Sequence, residues 1–184
     1  MQADRDAPRI AVIGTSCAGK STFARQMAAK LALPHLELDQ FQWQPGWTPA
    51  PTEVFRTQLS EALLAPGWIV DGNYTKVRDL IWKDARLIVW LDYAFPTILF
   101  RALKRTIRRA VTREVLWNGN RESVALSFFS KDSILLWVIR SHARKRQEYA
   151  ALLAQPEHAH LTVVRLLSPA EAAAWQARFT APSP

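Results

Sequence analysis

Residues 9–22 read RIAVIGTSCAGKST. The run from Arg9 to Ile13 has the length and apolar character of a buried strand. Gly14, four further residues, and then Gly19, Lys20 and Ser21 follow it directly. Glycines at this spacing let the backbone turn tightly and approach oxygen atoms closely. The N–H groups of Thr15, Ser16, Cys17, Ala18 and Gly19, and the helix start at Lys20, Ser21 and Thr22, then face a phosphate. In this pattern the Lys20 ammonium reaches the outer phosphates and the Ser21 hydroxyl ligates Mg²⁺. Phe23, Met27 and Leu31 fall on one side of the helix that opens there, which is the context the pattern requires. The stretch predicts nucleotide binding.

Outward from this loop, short apolar runs alternate with longer amphipathic stretches. That alternation predicts an α/β fold with a parallel sheet covered by helices on both faces. Expected strands are 9–13, 35–38, 68–70, 86–91 and 161–166. Expected helices are 19–31, 52–64, 75–83, 96–111, 123–153 and 169–179. Ser168-Pro169 with Glu171 forms a helix start. Turns are expected at Gln44-Pro45-Gly46, Ala65-Pro66-Gly67 and Asp71-Gly72-Asn73, and a loop at Trp117-Asn118-Gly119-Asn120. At 184 residues the chain has the size of one domain, 1–184. No apolar run is long enough to span a membrane, the start of the chain lacks a signal-like apolar core, and there is one cysteine. A cytoplasmic protein is the expectation.

The formal net charge is +8, and it is localised. Residues 101–146 hold 12 Lys/Arg against 3 Asp/Glu, while the other 138 residues hold 12 against 13. A basic segment of this kind serves nucleic acid, closes over a polyphosphate in the manner of a lid, or is simply a solvated helical face. Arg101 and Arg105 share one helix face, Arg108 and Arg109 follow on adjacent faces, and Arg140 and Arg144 repeat the four-residue spacing.

Three aspartates, Asp39, Asp71 and Asp92, sit at or beside the expected strand ends, the edge where open parallel sheets bind ligands. Asp71 could hold the Mg²⁺ water shell, and Asp39 could orient or deprotonate an acceptor hydroxyl. Asp92 reads as structural. Cys17 is not a phosphatase nucleophile, because the arginine that such a loop needs six positions later is Phe23. No Asn-Lys-x-Asp guanine motif is present. The aromatic segment FQWQPGW, 41–47, offers Trp43 and Trp47 either for stacking on an acceptor or for packing an irregular loop. The histidines lack metal-ligand spacing.

Taken together, GTSCAGKST, LDQFQWQPGW and WIVDGNYTKVRDLIW resemble the adenylate-kinase-like proteins labelled topology modulation proteins, over nearly the whole chain. The resemblance implies a three-layer P-loop NTPase fold, with five parallel strands in the order 2-3-1-4-5, and ATP with Mg²⁺ as cofactors. It implies Arg101 packing on adenine. Arg105, Arg109, Arg140 and Arg144 would stabilise charge on the transferring phosphoryl group, and the acceptor would lie among Asp39, Trp43, Tyr74 and Arg78. The arginine that adenylate kinases carry four residues after the strand-three aspartate is replaced by Thr75, with Lys76 and Arg78 beyond it, so AMP as acceptor does not follow. The expectation is a small kinase acting on a small-molecule acceptor. The alternative is an ATP-binding regulator that touches nucleic acid through its basic helices.

Overall fold

A computed structural model of the chain describes residues 7–112, 117–120 and 134–180. Strand β1 (Arg9–Gly14) leads through the glycine loop into α1 (Lys20–Leu31). After β2 (His35–Glu37) come a short α2 (Leu38–Gln42) and a small hairpin, β3 (Trp43–Gln44) and β4 (Thr48–Pro49). The chain continues as α3 (Thr52–Ala62), β5 (Trp68–Asp71), α4 (Arg78–Asp84), β6 (Leu87–Leu91) and α5 (Phe95–Thr112). A 3₁₀ turn at Trp117–Gly119 precedes α6 (Ile134–Leu153), β7 (Thr162–Leu166) and α7 (Pro169–Arg178).

Five strands form one sheet in the order β2-β5-β1-β6-β7, all pairs parallel. The numbers differ from the expected 2-3-1-4-5 because the hairpin strands β3 and β4, which pair antiparallel in a sheet of their own, intervene in the chain. Side chains of each central strand alternate between two cores. Ile10, Val12, Ile69, Val89 and Leu91 pack with Phe23 and Met27 of α1, Ile98 of α5 and Ala172 of α7. Ala11, Ile13, Trp68, Val70, Ile88 and Trp90 face the opposite side, against Phe55 and Leu59 of α3, Ile81 of α4 and Tyr149 of α6. Helices therefore cover both faces.

Most boundaries agree with the expected ones to within a residue or two. The helix expected over 75–83 divides into a 3₁₀ turn (Thr75–Val77) and α4, and β2 stops at Glu37. Of the helix expected over 123–153, residues 134–153 are helical, and 123–133 lie outside the described residues. Trp68, Trp82 and Trp90 are core residues, and Trp175 stacks between Phe23 and Phe179. The side chain of Trp137 lies outside the described residues. His158 packs edge-on against Trp82 with 4.8 Å between ring centres.

Candidate active site

The parallel sheet brings the ends of β1, β5 and β2 to one edge, and the glycine loop sits there. Gly14 has φ 147°, and a Cβ at that position would stand 2.6 Å from the Leu91 carbonyl oxygen. Only glycine lets the loop leave β1 this close to β6. Cys17 and Gly19 continue the turn at φ 66° and 93°. The Lys20 ammonium donates to the Thr15 carbonyl at 3.1 Å, folding back over the loop it follows. Burial lowers the Lys20 pKa from the ordinary lysine value, and the charges of Asp71, Asp39 and Cys17 oppose that fall. Of the three aspartates singled out from the sequence, Asp71 and Asp39 act on the loop lysine.

Asp71 is the last residue of β5 and is buried, with Oδ1 3.2 Å from His35 Nε2. His35, given no role from sequence, thus orients this carboxylate. Asp39 sits in the first turn of α2, just past β2, and accepts a 2.5 Å hydrogen bond from the Tyr74 hydroxyl. Burial pushes the Tyr74 pKa well up and the Asp39 charge adds to the rise, while an interaction with Trp43 opposes it. Tyr74, which the resemblance puts on the acceptor side with Asp39, donates its hydroxyl to that same carboxylate.

Two arginines of α5 cross to the loop. Arg101 donates to the Ala18 carbonyl at 2.6 Å and lies over the Tyr93 ring at 5.1 Å. Arg105 places a guanidinium nitrogen 3.9 Å from Cys17 Sγ. Arg108, Arg140 and Arg144 are exposed, and the side chain of Arg109 lies outside the described residues. The expected arginine set therefore splits, with Arg101 and Arg105 at the loop and Arg140 and Arg144 on the surface of α6.

The aromatic segment forms the β3–β4 hairpin. Trp43 and Trp47 meet edge to face at 5.6 Å. Two asparagines of the 117–120 turn pin this hairpin. Asn118 donates to the Trp43 carbonyl at 2.5 Å; Asn120 accepts from the Trp47 N–H at 2.9 Å and donates to the Gln44 carbonyl at 2.9 Å. Sequence reading placed a loop at 117–120 but gave these side chains no task, because both ends of the contact are irregular backbone with no periodic signal.

Arg78 faces a crevice lined by β1, α2, the segment after β5, α4 and α6, and it donates to Glu148 at 2.8 Å and lies over the Trp82 ring at 5.4 Å. Glu148 also accepts from Lys145 at 2.9 Å. Burial alone would raise the Glu148 carboxyl, but the hydrogen bonds from Lys145 and Arg78 outweigh it and hold it below the usual range. Asp92 accepts from Arg146 at 2.9 Å and from Arg165 at 2.8 and 2.5 Å, so its reading as structural fits its contacts.

Ser21 and Asp71 offer a hydroxyl and a carboxylate, hard oxygen donors of the kind Mg²⁺ takes together with water and substrate phosphates. Among the described residues no group of three or more His, Cys, Asp or Glu converges as a protein cage. The donor set therefore fits an ion that arrives with a phosphate. No helix among the described residues is long and apolar enough to cross a membrane.

No protein-family model and no curated protein matches the chain. Solved structures do. A shikimate kinase from Bacteroides thetaiotaomicron superposes with a TM-score of 0.54 at 15% identity, covering 93% of this chain and 95% of that one. A shikimate kinase from Acinetobacter baumannii, in complex with shikimate, gives 0.54 at 15% identity over 96% and 93%. A gluconokinase from Sinorhizobium meliloti 1021 gives 0.50 at 17% identity over 95% and 94%. At such identities the likeness shows the fold, which this chain shares with those kinases.

Proposed function

We propose that the chain is an ATP-dependent phosphotransferase acting on the hydroxyl of a small acceptor. The observation that carries this reading is the convergence on Lys20. The glycine loop, the Asp39 and Asp71 carboxylates and Arg105 all act on its ammonium, while Arg101 crosses onto the same loop. Loop N–H groups and Lys20 would hold the phosphates, and Ser21 with Asp71 would hold Mg²⁺ and its water. The bound Mg²⁺ would neutralise charge on the phosphates. Asp39, held by Tyr74, would take the proton of the acceptor hydroxyl as its oxygen bonds to the γ-phosphorus. The bond from that phosphorus to the β–γ bridging oxygen breaks, and ADP leaves with the electron pair. Arg105, beside Cys17 of the loop, would stabilise charge on the moving phosphoryl group. Arg101, over the Tyr93 ring, would cover the nucleotide.

The test is ADP release from Mg²⁺-ATP against a panel of hydroxylated metabolites, nucleosides and nucleoside monophosphates, with Lys20→Ala as control. Acceptor-dependent release that vanishes in Lys20→Ala supports the reading, and nucleotide binding without acceptor-dependent turnover overturns it. The exposed Arg108, Arg140 and Arg144 favour a second reading, a nucleotide-binding regulator that touches nucleic acid. That reading requires DNA affinity that falls steeply with salt and weakens in the Arg140→Ala, Arg144→Ala double variant.

A further inference from the structure

Helix α5 carries apolar residues on two faces. Ile98 and Ala102 are buried in the core beside α1, as a helix covering a sheet requires. Pro96, Phe100, Leu103 and Ile107 form a second row, spaced by four, three and four residues, and all four are exposed. At 3.6 residues per turn they fall within about 60° of arc, along roughly 16 Å of helix. Phe100, Leu103 and Ile107 are 67%, 39% and 55% exposed, three of the eight large apolar side chains exposed among the described residues. Ile139 of α6, the helix packed beside α5, is a fourth. Apolar side chains scattered singly over a surface need no explanation, but a continuous row does.

The charge around the row says what covers it. The 18 residues of α5 include five Lys/Arg and no Asp or Glu. Lys104 and Arg108 are exposed and border the row on one side, about 40° and 80° round the helix from Phe100. A second copy seated on the same row would bring these cations against their own kind. Nucleic acid would meet them with phosphates, but it offers nothing apolar to Pro96, Leu103 and Ile107, which have no aromatic face to stack on a base. A partner protein would need a groove cut to the ridge, whereas a fluid lipid surface needs none. We propose that α5 seats the protein on an anionic lipid surface. Phe100, Leu103 and Ile107 enter the boundary between headgroups and acyl chains, while Lys104 and Arg108 meet the anionic headgroups. Arg101 and Arg105 leave the same helix toward Ala18 and Cys17, so the seated helix keeps its contacts with the glycine loop.

The test uses the full chain and sedimentation with sucrose-loaded vesicles of phosphatidylcholine, with and without phosphatidylserine. Wild type should sediment with the phosphatidylserine vesicles, far less with phosphatidylcholine alone, and less as salt rises. The double variant Phe100→Ser, Ile107→Ser should bind more weakly by about tenfold or more, because two side chains lose their burial in lipid. Both positions are exposed, so its melting temperature should stay close to that of wild type. Lys104→Glu should weaken binding to the phosphatidylserine vesicles. Four results overturn the proposal. The first is no binding to phosphatidylserine vesicles. The second is binding that the double variant retains in full, which would mean a contact made by charge alone. The third is a wild-type dimer in analytical ultracentrifugation that the double variant dissolves, which would mean that a second copy covers the row. The fourth is DNA binding that the double variant loses, which would assign the row to nucleic acid.

Discussion

Asp92 shows how a single carboxylate can be mistaken for a site. It stands at the sheet edge where the glycine loop sits, nine residues before Arg101, yet its Oδ2 is filled by Arg146 of α6 and Arg165 of β7. Arg165 also lies over the Trp90 ring at 4.5 Å. The carboxylate is buried, whereas the two guanidinium side chains are 44% and 45% exposed. Asp92→Asn should therefore destabilise by about 1–3 kcal/mol, less than a fully buried pair costs, because water can still reach both arginines. The two like charges left behind repel each other, and salt screens that repulsion. Urea unfolding at low and high salt should show a loss that shrinks as salt rises. A loss independent of salt would mean that the carboxylate acts through packing alone.

At the scale of elements, what could be read from sequence was what repeats. β1, β5 and β6 announce themselves as apolar runs, and α1 and α3 as apolar residues at helical spacing, because burial on a period of two or 3.6 leaves that trace. The glycine loop was legible down to its residues, since its geometry needs glycine where Gly14 meets Leu91. Of the hairpin only the turn at Gln44-Pro45-Gly46 was legible, not its strands. Its strands are two residues each, and its turn uses Gly46 and Trp47 at φ 73° and 58°, the latter unusual for a tryptophan. Pairs such as Arg78–Glu148, 70 residues apart, also leave no local pattern. The hairpin's hold on the 117–120 turn gives a prediction at this scale. Asn120 is buried and makes both hydrogen bonds through one amide, so Asn120→Ala leaves the Trp47 N–H and the Gln44 carbonyl without their partner. Such a loss costs about 1–3 kcal/mol locally. Amide hydrogen exchange within 43–49 should accelerate, while exchange in β1 and β6 stays as in wild type. Unaltered exchange in the hairpin would show that the tryptophan pair alone holds it.

For the molecule as a whole, the arrangement around Lys20 sets a linked response to nucleotide and pH. The ammonium rests on the Thr15 carbonyl, and burial holds its pKa below the ordinary lysine value of 10.5. A bound triphosphate favours the charged form, so binding above the lowered pKa must take up a proton, and affinity falls as pH rises through that value. The fall should therefore begin below the pH at which an ordinary lysine titrates. A Mg²⁺-bound ATP analogue at about 100 times its dissociation constant stabilises by about 2.7 kcal/mol. For a chain of this length that is a rise of roughly 5–10 °C in melting temperature. Thermal melts at successive pH values should show the rise at neutral pH and its decline on the alkaline side. In Lys20→Ala the rise should be smaller and should lack that alkaline decline. If wild type and Lys20→Ala decline in parallel, another group controls the pH response. If the analogue gives no rise at any pH, the loop does not bind nucleotide, and the assignment built on it fails.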